Sequence, residues 1–470
     1  MAIIIDLIKN NGSLTFASTM EAFIYYFTNV ISLLFFVMYF HQMFFIILGS
    51  VHHCKPSTKC EIIQHKIGIV ISARDESKVI GKLIDSIQLN DYPQSLITIF
   101  VIADNCADDT AQIARDKGCV VFERHNTELI GKGYALNTLF TALHTDPQYA
   151  DLVPDAYIVL DADNIIRSDY ITEMNKVYCS GYNIVTSYRN SKNFGRNWIT
   201  SGYGYWFLHE ARHLNNSRMM LKTSCAISGT GFLIDKKVVE EYGNWKFFYL
   251  TEDIQCSTEY ALQGNKVGYC GTAEFFDEQP YTFKQSWVQR ERWAKGFYQV
   301  FGHYGGRLFG GFFRRFACWD IFTTIFPALF VMILTLTVLP VTAIVALCMG
   351  DTANAWYAVQ SVLSSFWGYY QLLFVVGILI CITEWKKIHT SWWKKILYIF
   401  TFPLFMATYI PISLVAFFKK VEWKPIVHTA DIGIEEMSAK KTRKKRSEKN
   451  KTVETDGQED KDGQENNEDE

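Results

Sequence analysis

The chain has 470 residues, 49% of them hydrophobic and 15% aromatic, which is too greasy for one wholly soluble domain, so part of it is expected in lipid. A formal net charge of −2 leaves no basic excess to neutralise phosphates and excludes a general nucleic-acid binder. The eleven cysteines show no Cys-x-x-Cys pair and no zinc spacing, which predicts reduced packing residues in a cytosol-facing protein.

Residues 1–22 lack a basic leader followed by a small-residue cleavage site, so no signal peptide is expected there. Residues 23–48 are almost free of charge and exceed the roughly 20 residues that span a bilayer, which predicts a transmembrane helix. His52, His53, Lys55 and Lys59 follow it, and the positive-inside rule then places the next domain in the cytoplasm of a multi-pass cell-membrane protein.

From 66 to 297 short apolar runs alternate with helical spacing. Residues 67–73, 97–103, 119–122 and 157–160 are predicted as buried strands, with helices at 78–89, 110–117 and 134–144. Continuous β-branched runs separated by helices predict a mostly parallel, doubly wound α/β sheet. Such sheets bind ligands at the carboxyl ends of their strands, and three strands deliver acid there: Asp75 and Glu76, then Asp104, then Asp161 and Asp163.

Residues 298–317 mix aromatics and glycines with Arg307, Arg314 and Arg315, the pattern of an interfacial amphipathic segment. Residues 318–418 form a C-terminal membrane region of two or three spans, with 319–349 and 356–383 long enough to cross. The third stretch, 396–418, leaves two readings open. If it crosses, Lys419, Lys420 and the basic tail lie outside, against the positive-inside rule; with Pro403 and Pro411 it is instead broken or re-entrant. Residues 435–470 read as a disordered charged tail whose basic part rests on anionic lipid if it is cytoplasmic.

Asp161-Ala-Asp163 ends an apolar strand. Side chains alternate along a strand, so the two carboxylates can face one ligand, and such a pair suits Mg²⁺ or Mn²⁺ held jointly with phosphate oxygens. The same pattern also makes turns and caps, and its neighbours decide its weight. Asp75 and Asp104 offer acceptors for a base and ribose, or serve as caps. Lys132, between Gly131 and Gly133 at a helix start, suits a diphosphate. Asp253 in Thr251-Glu-Asp253 is a general-base candidate, or a helix-opening acid. In Gln289-Arg-Glu-Arg-Trp293, Gln289, Arg292 and Trp293 share a helix face that offers hydrogen bonds, a fork for diphosphate oxygens and a flat surface for a sugar ring.

Asp75, Asp104, Asp161-Ala-Asp163, Thr251-Glu-Asp253 and Gln289-Arg-Glu-Arg-Trp293 stand in the order seen in membrane-embedded family 2 glycosyltransferases. The chain resembles the group of cellulose, hyaluronan and poly-N-acetylglucosamine synthases and the rhizobial chitooligosaccharide synthase, over about residues 66–300 by motif. The resemblance implies an α/β GT-A catalytic domain flanked by transmembrane helices, and inverting transfer from a UDP-sugar. In it Asp75 and Asp104 hold uridine, Asp161 and Asp163 hold diphosphate and metal, and Asp253 is the base, while Gln289, Arg292 and Trp293 meet donor and acceptor. Trp423-Lys-Pro425 looks like the tryptophan-containing tail motif of some relatives. Fewer spans than cellulose synthases and no fused regulatory domain put secretion through its own channel in doubt.

The expected partners are a UDP-sugar donor, a glycan or lipid acceptor and membrane lipid, with no nucleic acid. The sugar is glucose or N-acetylglucosamine by family likeness only. One rival is a single transfer to a membrane lipid; another, of a different class, is a non-catalytic nucleotide-binding scaffold or transporter subunit. Oligomeric state is not legible.

Overall fold

A computed structural model describes residues 16–55, 60–325 and 327–422; the start of the N-terminal segment, Trp423-Lys-Pro425 and the charged tail lie outside the described residues. Helix α1 (Thr19–Val51) is capped by Ser18, whose Oγ accepts from Glu21 N at 3.0 Å. It is followed by β1 (Ile67–Ala73), α2 (Ile80–Gln88), β2 (Ile97–Asp104), α3 (Thr110–Asp116), β3 (Val120–Arg124), α4 (Lys132–Thr145) and β4 (Ala156–Asp161). These are the strands and helices the apolar runs predict, within a few residues at each end.

Strands β1 to β4 are parallel in the order β3-β2-β1-β4. Register brings Ser72 level with Ile102 on one side and Asp161 on the other, so the strands end on one line. Alternate side chains fill two cores, Val70, Ile102 and Val159 on one face and Ile69, Ile71, Val101 and Ile158 on the other.

The rest of the sheet departs from the mostly parallel expectation. After β5 (Ile165–Ile166) and α5 (Tyr170–Cys179) come β6 (Ile184–Ser191), α6 (Trp198–His209), a π-helical stretch over 210–215, α7 (Asn216–Met220), β7 (Phe232–Asp235), α8 (Lys236–Glu241), α9 (Glu252–Leu262) and β8 (Val267–Asp277). The sheet continues β4-β7-β6-β8-β5: β7 runs antiparallel to both neighbours, β6 and β8 pair parallel, and β5 pairs antiparallel with β8. The reason these strands escape sequence reading is that β6 and β8 bury polar groups. Asn190 donates to Glu274 at 2.9 Å, and Arg189 donates to Asp277 through Nε at 2.8 Å, pairs that satisfy each other inside the fold.

Helix α10 (Phe283–Gly311) runs unbroken across position 297, where composition had placed a boundary. The stretch expected as one span from 319 to 349 is two helices, α11 (Phe316–Ile325) and α12 (Pro327–Cys348). Helix α13 (Thr352–Thr383) follows, then α14 (Trp392–Ala407) and α15 (Tyr409–Phe418), separated at Thr408. Among the described residues four stretches are long and apolar enough to cross a membrane: α1, 330–348 within α12, α13, and α14 with α15.

Their attachment to the catalytic domain is not alike. α1 meets it near its C-terminal end, where Phe45 O accepts from Ser217 Oγ at 2.8 Å, and α13 at Glu384, which pairs with Arg212 at 3.1 Å. Their far ends meet each other, Asn354 Nδ2 donating to Ser18 Oγ at 2.8 Å. The α14–α15 pair touches the domain at both ends. Lys394 Nζ donates to Gly195 O at 2.8 Å and Tyr205 OH to Lys395 O at 2.5 Å, while Lys295 Nζ donates to Phe417 O at 3.3 Å and Lys419 pairs with Glu291 at 3.0 Å.

Candidate active site

The parallel strands end along one edge, and the chain leaves each in a loop that carries acid. β4 stops at Asp161, and Asp163 lies in the turn beyond it rather than on the strand, closed by Asn164 N donating to Asp161 O at 3.0 Å. Thr230 of Ser228-Gly-Thr-Gly231 steadies that turn, its Oγ1 accepting from Asp161 N at 2.8 Å. Gly231 has φ +68°, and a Cβ there would sit 2.3 Å from the Phe275 ring, so only glycine fits beside the turn.

A cavity of about 1380 Å³ opens at this edge and is lined by Asp104, Lys132, Asp161, Asp163, Asp253, Gln289, Arg292 and Trp293. Eight residues singled out from the sequence, far apart along the chain, thus meet on one wall system. Asp75 is the exception. It is exposed, has φ +56° and accepts from Ala107 N at 2.7 Å, and its neighbour Glu76 lines the cavity instead.

Asp104 is buried, and its Oδ1 already accepts from Arg124 Nη1 at 2.6 Å. Lys132 Nζ bridges Asp161 Oδ1 at 2.5 Å and Gly229 O at 2.7 Å, so this lysine steadies the carboxylate turn and faces the cavity at once. Asp163 is buried, its Oδ2 accepting from Glu278 N at 3.1 Å.

The acid excess here fits a hard divalent cation. Burial, then the nearby carboxylates of Asp163, Asp161, Glu278 and Asp108, pushes the Glu76 carboxyl up to about 9, the effect of desolvation and of like charges gathered at one edge. Asp161 is partly open and Asp163 is buried beside it, and both line the cavity, so this pair would hold a metal shared with a diphosphate. A separate trio, Asp75, Cys106 and Asp108, brings ligand atoms within 4.8 Å of one another, but backbone N–H groups of Ala107, Ser77 and Thr110 already occupy its carboxylates, as in an ordinary loop cap.

Across the cavity Asp253 lies in the first turn of α9. Burial raises both carboxyls of the adjacent pair, Glu252 to about 7 and Asp253 above the usual aspartate range, with Lys132 and Arg292 pulling both back. A carboxyl with a raised pKa that still ionises suits proton removal from a hydroxyl. α10 packs on the same loop through Gly296, where a Cβ would come within 2.5 Å of the Thr251 side chain. Trp293 is held edge-on by Tyr203 at 5.8 Å and Phe207 at 6.2 Å between ring centres. Gln289 Oε1 and Thr251 Oγ1 are buried and have no hydrogen-bond partner among the described residues, which marks places a ligand would satisfy.

Sequence reasoning missed several liners. Arg189, Glu210, Asp277 and Glu278 all face the cavity. Arg189 stacks over the Phe207 ring at 3.6 Å, and Glu210 Oε2 accepts from Ser228 Oγ at 3.0 Å where the π-helical stretch begins. The one available signal was the run of polar residues in Ser187–Ser191, out of place in a strand unless its groups pair internally.

The cavity does not stop at the domain surface. Ser32 and Gln42 of α1, Thr335 of α12, Gln360 and Ser364 of α13, and Tyr409 of α15 continue its lining. Gln360, Ser361, Ser364, Ser365 and Gly368 recur at helical spacing along one face of α13, a polar stripe on an otherwise apolar helix.

Among known proteins, the family description "Glycosyltransferase like family 2" matches residues 65–296. Protein RfbJ of Shigella flexneri is 31% identical over 110 residues, covering 23% of this chain and 72% of RfbJ. The beta-monoglucosyldiacylglycerol synthase of Synechocystis sp. is 24% identical over 245 residues, 51% of this chain and 49% of that protein, so the chain spans about half its length. The poly-beta-1,6-N-acetyl-D-glucosamine synthase of Staphylococcus epidermidis is 22% identical over 290 residues, 58% of this chain and 66% of that one. With the GT-A-type sheet, the carboxylate turn at its strand ends and the matched domain in register, the chain belongs to the family 2 glycosyltransferases.

Proposed function

We propose that the protein transfers a sugar, glucose or N-acetylglucosamine, from a UDP-sugar to a growing glycan at the membrane, with inversion. The observation that carries the glycan reading is the polar stripe: the cavity that holds the carboxylates runs on between α1, α12 and α13 past hydroxyls and amides. Polar groups inside a membrane are costly and mark a path for something polar, and a chain of sugar hydroxyls matches them better than acyl chains do.

The uridine end lies toward Asp104, and the diphosphate between the carboxylate turn, Lys132 and Arg292. Asp161 and Asp163 would hold Mg²⁺ or Mn²⁺, which offsets charge on the departing UDP. Asp253 takes the proton from the acceptor hydroxyl as that oxygen bonds to the anomeric carbon; the bond from that carbon to UDP breaks on the opposite side. Arg292 supplies a second cation beside the leaving group and Trp293 a surface for a sugar ring.

The attachments favour three crossings, by α1, α12 and α13, with α14–α15 lying along the domain because both its ends are tied there. Lys419 and Lys420 then share the domain's side, which the positive-inside rule makes the cytoplasm. A reporter fused after residue 422 should read as cytoplasmic, and one inserted at Asp351 as external.

A single transfer to a lipid is the second reading, supported by likeness to the beta-monoglucosyldiacylglycerol synthase. Radiolabelled UDP-glucose and UDP-N-acetylglucosamine supplied with Mn²⁺ to membranes carrying the protein separate the two. Label that stays in the aqueous or insoluble phase after solvent extraction supports a glycan, and label wholly in the organic phase removes it.

A further inference from the structure

The Gln289–Trp293 motif divides between two sides of α10. Gln289, Arg292 and Trp293 line the cavity. Arg290 is wholly buried and reaches α14–α15 instead. Its Nη1 donates to Phe405 O at 3.1 Å and to Thr408 Oγ1 at 2.6 Å, and its guanidinium lies 4.3 Å from the centre of the Phe405 ring and 5.0 Å from that of Tyr409.

These atoms surround the break between the two helices. Pro411 has no N–H to offer the carbonyl four residues earlier, so the helix cannot run straight through Thr408. Met406 and Tyr409, one on each side of Thr408, line the cavity that Trp293 also lines. A guanidinium taken out of water costs several kcal/mol, and an apolar side chain would serve if the need were only to join two helices. What Arg adds is a planar group whose Nη1 bonds a carbonyl and a hydroxyl at once while its face stacks on a ring.

We propose that Arg290 is a positioning residue for the acceptor half of the transfer site: by filling the break at Thr408 it sets Met406 and Tyr409 as the wall facing Trp293. The inference rests on the transferase reading above. Arg290 does not line the cavity, and the donor carboxylates Asp104, Asp161 and Asp163 stand at strand ends that it does not contact. Its loss is therefore felt by transfer to the acceptor and not by the donor.

The test uses the full chain in detergent or nanodiscs with Arg290→Lys, Arg290→Met and, as a variant that leaves the guanidinium in place, Tyr409→Ala. Labelled UDP-glucose and UDP-N-acetylglucosamine are supplied with Mn²⁺. Two quantities are read: label incorporated into product, and UDP released to water without incorporation. UDP affinity is measured alongside by titration. All three variants should lose up to about 10²-fold in incorporation, the size of loss a misplaced wall can cause. UDP release and UDP affinity should stay within about twofold, so the ratio of transfer to hydrolysis collapses. A purely structural role would lower both activities together with thermal stability, and that result overturns the proposal, as does wild-type incorporation by both Arg290 variants. No UDP release by the wild type from either donor would instead sink the transferase reading on which the proposal stands.

Discussion

The two ends of the cavity are built in different ways. The donor end is assembled from four parallel strands that stop in register and leave acid on their loops. The acceptor end is assembled from helices: α9 and α10 of the domain, α1, α12 and α13 beside it, and the α14–α15 pair. At the donor end hydrogen-bonded register sets where the strands stop, and a turn steadied by Thr230 and Lys132 carries the carboxylates beyond β4. At the acceptor end no ladder exists, and position depends on close packing, such as Gly296 on Thr251 and Gly202 on Phe405, whose ring a Cβ would meet at 2.2 Å. The lesson is that charge fixes one end of the site and shape fixes the other.

The sharpest break in that comparison is Asp253, which belongs to the acceptor end although it is charged. Asp253→Asn should cut transfer by about 10²–10⁴-fold, the span of general-base assistance, while UDP binding is kept. Equal turnover by mutant and wild type in washed membranes would remove Asp253 from the role. On the donor side, Asp163→Asn or removal of divalent metal by a chelator should lower both UDP affinity and transfer by about 10²-fold, since a metal's charge stabilisation is worth several kcal/mol. If UDP affinity survives chelation, the carboxylate turn does not hold the diphosphate through a cation.

Packing should matter less in size but only at the acceptor end. Gly296→Ala forces about 1–3 kcal/mol of overpacking against Thr251, and it is expected to lower the melting temperature and transfer while UDP affinity stays near wild type. A variant that loses UDP affinity to the same degree would show the two ends are not separable. Within the membrane, Gln360→Leu removes one amide from the polar stripe. Losing a hydrogen bond of about 0.5–1.5 kcal/mol per sugar contact should shorten products or slow incorporation a few fold without changing UDP release. Unaltered product size would favour the lipid acceptor.

The smallest expected effect is on pH. As the proposed base Asp253 would act deprotonated, and burial raises its carboxyl with that of Glu252. Transfer should therefore be lost as pH falls through a value above the ordinary aspartate pKa of about 3.9. An acid limb at the ordinary value would mean that bound donor and metal reverse the effect of burial.

Continuous apolar runs in the sequence give β1 to β4, because a strand buried on both faces must be apolar at every position, and their ends give the acid-bearing edge on which Asp104, Asp161 and Asp163 stand. The motifs Thr251-Glu-Asp253 and Gln289-Arg-Glu-Arg-Trp293 are legible because their residue types are costly anywhere but at a site. Strands β6 to β8 are not legible, since Arg189, Asn190, Glu274 and Asp277 become compatible with burial only through partners far along the chain. The same holds for Asp75, whose place in a strand-end loop looks equivalent to Glu76 until the backbone takes up φ +56° and turns it outward.

Sequence alone thus determines the chemistry on offer and the strand ends that carry it, because local apolar pattern and residue type are properties of short stretches. Tertiary structure alone decides that α14–α15 is anchored at both ends, that Arg290 fills its break, and that the polar face of α13 opens onto the cavity holding Asp161 and Asp163. Those are relations between segments more than a hundred residues apart, and no periodicity within either segment encodes which partner closes against it.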